Sequence, residues 1–155
     1  MGKIGLFTLI VLSALSACRT NMGKSQDFKA RLDHLEVYEI DAFATPGAEQ
    51  SKEFMYLSDY QIIKPIALDD SAADELKKVI SYASMYNGEN IKSCPFIGKY
   101  GIALSNKDEE YLHLILSSEA CPKCQIFASD TALSGSFDLS SLDMHTIISQ
   151  YSKGR

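Results

Sequence analysis

Basic residues are in short supply in this 155-residue chain: 15 Lys and Arg stand against 20 Asp and Glu, a formal charge of −5. A protein that tracks nucleic-acid phosphates needs the opposite balance, so no nucleic-acid partner is expected. Long apolar runs are lacking as well, and none reaches the roughly 20 residues that a membrane-spanning helix needs. Catalytic signatures are equally scarce. There is no Gly-x-Ser-x-Gly elbow, no His-Glu-x-x-His, no glycine-rich phosphate loop and no Ca²⁺-loop pattern. The expectation is therefore no catalytic set, no metal site and no cofactor. Disorder is excluded from the other side. With 46% apolar residues, the chain can build the core of one ordinary domain.

What is present begins at the N-terminus. Lys3 supplies a short positive region, and residues 4–15 form an apolar stretch broken by small or polar residues. That length suits a secretory signal rather than a span. Leu15-Ser16-Ala17-Cys18 resembles the lipobox of bacterial lipoproteins: a branched apolar residue, two small ones, then Cys. In that family the Cys sulfur takes a diacylglyceryl group and the chain is cut just before it. The small residues let a protease grip extended backbone, and the thiolate is the nucleophile that takes up lipid. An ordinary signal-peptidase site would prefer a small residue at Leu15, and a myristoyl pattern would need Ser or Thr at Leu6.

The resemblance implies a signal peptide over 1–17, lipidated Cys18 with a polar tether over 18–30, and one globular domain over 31–155. Two or three acyl chains, at about 0.8 kcal/mol per buried CH₂, make such an anchor effectively permanent. Arg19 follows the Cys, and the Asp that marks inner-membrane retention is absent, which favours the outer membrane of a bacterial envelope. Cleavage would leave 138 residues, 14 of them basic and 20 acidic.

In the body of the chain, alternation of apolar residues predicts strands over 31–43 and 53–68, with Pro65 confining the end of the second to an edge or bend. Asp69-Asp70-Ser71 caps a helix whose stripe is Leu76, Val79, Ile80, Ala83 and Tyr86, ended by Asn87-Gly88. Residues 99–104 and 110–116 form a hairpin around a loop at 106–109, pairing Tyr100 with Ile115, Ile102 with His113 and Leu104 with Tyr111. The second of these strands is apolar on both faces, which marks an interior strand. A short strand follows over 125–128, then a helix from Ser140 or Ser141 carrying Met144, Ile147, Ile148 and Tyr151. The fold class is α+β: a small antiparallel sheet with two helices on one face, stapled by a disulfide. The carboxylate pairs Asp69-Asp70 and Glu109-Glu110 have capping and turn explanations. The tyrosines, among them Tyr56, Tyr60, Tyr82 and Tyr86, suit core or core rim more than a recognition surface.

Three thiols remain besides Cys18. An oxidising compartment favours pairing. Continuing the hairpin register places Cys94 opposite Cys121, although Pro95 and Pro122 interrupt the ladder. Cys94–Cys124 and Cys121–Cys124 remain open, and one thiol is left over in any monomer. Cys121-Pro122-Lys123-Cys124 resembles the Cys-Pro-x-Cys of glutaredoxin-like proteins, implying thiol–disulfide chemistry. Roughly thirty residues follow it, too few for the rest of that fold, and Gln125-Ile126-Phe127 reads as extended. For a metal, His113 lies eight residues from Cys121, about 26 Å along a strand, against about 2.3 Å for a zinc ligand. His113 reads as a core-facing histidine. The stretch 92–127, with Cys94-Pro95-Phe96, Tyr100-Gly101-Ile102 and the later Cys121-x-x-Cys124, resembles a group of uncharacterised bacterial proteins. Many of those carry His where Tyr100 stands, so no activity transfers.

These readings converge on a non-enzymatic, lipid-anchored envelope protein whose domain binds something, with an immunity or inhibitor protein as one concrete form. A small acidic domain suits blocking a basic partner. A thiol–disulfide protein using Cys121 and Cys124 is the alternative, and a structural envelope component a third.

Overall fold

A computed structural model describes residues 31–43, 54–87 and 92–152. The strands among them are β1 (His34–Ile40), β2 (Tyr56–Leu57), β3 (Tyr60–Pro65), β4 (Tyr86–Asn87), β5 (Gly98–Ser105), β6 (Tyr111–Ser117), β7 (Lys123–Ala128) and β8 (Gly135–Leu139). Two α-helices accompany them, α1 (Asp70–Ser81) and α2 (Asp143–Ser152). The strands form one eight-stranded sheet in the order β2-β3-β1-β5-β6-β7-β8-β4, with every neighbouring pair antiparallel. The class is α+β, but the sheet is large rather than small. The extra strands are β4, β8 and the division of residues 53–68 into two.

That division has a local cause. Ser58 takes a positive φ of 53°, so the chain reverses in two residues and Leu57 pairs with Tyr60. β6 is interior as expected, lying between β5 and β7. Its register against β5 differs by one residue from the expected one: Tyr100 faces Leu116, Ile102 faces Leu114 and Leu104 faces Leu112. The connecting loop spans five residues, closed by Asn106 N–H donating to the Glu110 carbonyl, with Glu109 at φ 62°. The Asn106 side-chain oxygen accepts from the amides of Asp108 and Glu110 and holds the extra residue in place. An irregularity between Gly98 and Tyr100 then takes one residue back, so Gly98 faces Ser117.

α1 starts where its cap predicts, with the Asp69 carboxylate accepting from Ala72 N–H at 2.9 Å. Leu76, Val79 and Ile80 are buried. The helix ends at Ser81, short of Asn87-Gly88, because Tyr86 leaves the stripe to pair with Leu139 of β8. α2 buries Met144, Ile147 and Ile148. It touches α1, and Tyr151 Oη donates to the capping Asp69 at 2.7 Å. The His145 ring lies 6.3 Å from Tyr100, which places α2 on the face that carries Tyr100, Ile102 and Leu104.

Candidate functional site

Cys94 and Cys121 are joined, with Cα atoms 6.3 Å apart, inside the range a disulfide spans. The bulge at β5 produces this pairing. It brings the ladder into a register that continues beyond the strands, with Ser118 N–H donating to the Ile97 carbonyl at 3.0 Å. The surrounding residues clamp both ends of the bridge. Ser117 Oγ donates to the Cys121 carbonyl and accepts from Lys123 N–H. Lys123 Nζ donates to the carbonyls of Lys92 and Cys94, and Asp138 accepts from Lys92 N–H at 2.7 Å. Since Lys123 and Asp138 are cross-strand partners, two adjacent strands grip the segment that delivers Cys94.

Period-2 alternation turns Cys124 to the other side. It is fully buried and pairs with Phe137, and it takes no part in the bridge. Lys123 and Cys124 open a strand rather than a helix, so the motif does not stand at the start of a helix of its own. Cys18 lies outside the described residues.

Ser117, Asp138 and His145 are the buried polar residues of the described structure. Their geometry is structural. The His145 Nε2 proton goes to the Ser117 main-chain carbonyl at 2.6 Å, not to its hydroxyl, and that hydroxyl is committed to the disulfide loop. Asp138 shares its sheet face with Lys123 and Gln125, whereas α2 and His145 lie on the opposite one. Burial pushes the His145 imidazole below its ordinary range, with the bond to Ser117 opposing. Among the described residues His145 Nδ1 and Asp138 Oδ1 have no hydrogen-bond partner. No group of three His, Cys, Asp or Glu is gathered there for a metal ion.

The second sheet face is covered by the tip of the β2–β3 hairpin. Leu57 lies over Gly101, where a Cβ would come within 2.6 Å of Leu57 Cδ2. Ser58 Oγ meets His113 Nδ1 at 3.2 Å, and Tyr60 Oη donates to Gln125 Oε1 at 3.0 Å. His113 faces this half-buried surface, stacked at 4.8 Å on Tyr111, and burial lowers its basicity. Of the tyrosines, Tyr60 packs on Phe96 here with Tyr56 in the adjoining strand, Tyr86 packs on Phe137, and Tyr82 is exposed, outside the core and rim expected for it. Sequence reasoning missed the hairpin clamp and the Lys123–Asp138 grip. Ser58-Asp59 between two Tyr-containing pairs is the turn signal that could have found the first. No family model, no curated protein and no solved structure matches this chain.

Proposed function

We propose that this chain is a lipid-anchored protein of a bacterial envelope, outer membrane favoured, moored through Cys18, with both helices on one face of the sheet, and acting by binding a protein partner. The observation that carries the reading is the Cys94–Cys121 bridge with its two-strand clamp. Such a bridge persists in an oxidising compartment, where a lipobox would deliver the chain. The acidic balance of the body suits a basic partner, as in an immunity or inhibitor protein. The competing thiol–disulfide reading needs Cys121 and Cys124 to form one dithiol. The sulfurs weigh against it, because Cys121 is bridged to Cys94 and Cys124 is buried on the other side of its strand.

The test is processing in the cell. Globomycin is expected to accumulate a precursor larger by residues 1–17, and Cys18→Ser is expected to release the product from the membrane fraction. Normal processing in globomycin, or a membrane-bound Cys18→Ser product, would sink the anchor.

A further inference from the structure

β1 has one finished edge and one unfinished edge. Toward β5 it is paired from His34 through Glu39. Toward β3 the ladder starts only at Tyr38, extended by Ile66 N–H donating to the Val37 carbonyl at 2.8 Å. Tyr38 faces Pro65, and after Ile66 the chain turns away to Asp69 and α1. The two-residue period of a strand aims the N–H and C=O of Leu35 to the same side as the Val37 carbonyl. Among the described residues no strand meets them there.

A cavity of about 380 Å³ occupies that place, between the edge of β1 and the first turns of α1. Leu35, Val37, Ile66 and Leu68 give it apolar walls, and Glu36 and Asp70 bring carboxylates. The described lining contains no Lys or Arg. Around it, Lys64 pairs with Glu39 at 3.1 Å, and the Lys77 ammonium donates to the Asp33 carbonyl. The exposed Glu36 carboxylate lies 3.6 Å from His34 Nε2 and accepts from Tyr38 Oη at 2.6 Å.

We propose that this groove receives an extended, basic segment of a protein partner, which joins the sheet as an added strand beside residues 34–37 of β1. The inference rests on the binding reading above and names its surface. Main-chain hydrogen bonds to Leu35 supply affinity, and alternate side chains supply selectivity. Leu35 and Val37 face α1 and Glu36 faces the other side of the strand, so one set enters the apolar floor beside Asp70, and the other carries Lys or Arg toward Glu36. An acidic strand is rejected by like charge, as is a second copy of this acidic chain.

The experiment uses full-length isotope-labelled protein in detergent and, as the probe, a capped peptide of alternating Lys and Val. Controls are the same peptide with Glu for Lys, and one with Pro at the central Val. Binding of the basic peptide is expected to shift residues 34–37 and 66–70 and to slow exchange of the Leu35 amide. The Glu and Pro peptides are expected to bind at least about tenfold more weakly, as is the basic peptide to the E36K/D70K variant. Equal binding of all three peptides, or shifts that spare residues 34–37, would overturn the proposal. So would a Leu35 amide already protected in the protein alone, which would mean that the edge is filled by the chain itself or by a second copy. Should E36K/D70K fail to fold, the three peptides on the natural chain still decide. Peptide binding without lipid on Cys18 removes only the anchor, and lipidation without peptide binding removes only the groove.

Discussion

The two faces of the sheet are closed by different means. On one, Leu112, Leu114 and Leu116 of the sheet and helix residues such as Met144 and Ile148 all have no exposed surface. On the other, a four-residue tip (Leu57, Ser58, Asp59 and Tyr60) covers a smaller core of Ile40, Leu57, Tyr60 and Ile115. Tyr38, Ile62, Phe96 and Phe127 stay only partly buried around it. The first closure rests on apolar area, which is strong and tolerant of detail. The second rests on a close backbone approach at Gly101 and on two side-chain hydrogen bonds, which are weaker but specify position. A region of that kind opens locally before the rest of the molecule does.

The largest effect expected is on the helix face. Leu114→Ala should cost about 2–5 kcal/mol in urea unfolding, as a fully buried side chain leaving a cavity. Removal of the bridge with Cys94→Ala should cost about 2–4 kcal/mol, since its ends stand 27 positions apart in the sequence. Gly101→Ala should cost about 1–3 kcal/mol, because Leu57 must move aside. Faster amide exchange confined to residues 57–60 would mark the tip as a separate unit, and uniform acceleration would erase the contrast between the faces. Tyr60→Phe, which deletes the bond to Gln125, should cost about 1 kcal/mol.

The smallest effect is one of pH, and it draws on both faces. His113 and His145 are each held below the ordinary value of 6.5 by burial. Above that value neither state carries the proton, so stability is at its full level. As pH falls below it, the unfolded chain protonates first, and stability declines until the folded imidazoles titrate in turn. Urea midpoints measured from pH 7 to 5 should therefore fall, and His113→Gln should remove the share that belongs to the hairpin face. A flat profile in the natural protein would contradict the burial of both rings.

Legibility in the sequence followed the range of the interaction concerned. The α1 start, the interior character of β6 and the α2 stripe were readable because a cap or a periodicity is written within a few residues. The hairpin register was misjudged by one because Asn106 and Glu109 accommodate a fifth loop residue, and nothing in the strand pattern reports loop length. The Cys94–Cys121 pairing was reached with that register nonetheless, since the irregularity near Lys99 cancels the loop's extra residue. The end of α1 was misplaced because Tyr86 has a better partner at Leu139, more than fifty residues away.

Local chemistry written along the chain determined the class of fold, the helix cap, the disposition of apolar residues into strands and helices, and the expectation of a lipidated Cys18. Those properties depend on neighbours within a turn or a strand, where residue type and spacing are sufficient. Tertiary structure alone decided that Cys124 is turned away from the bridge, that a two-residue turn at Ser58-Asp59 brings a hairpin over the second face, and that the chain leaves β1 after Ile66, so that an edge stays open beside α1. Each of those depends on groups far apart in the chain competing for the same space or the same hydrogen bond, and that competition is resolved only once the sheet has closed.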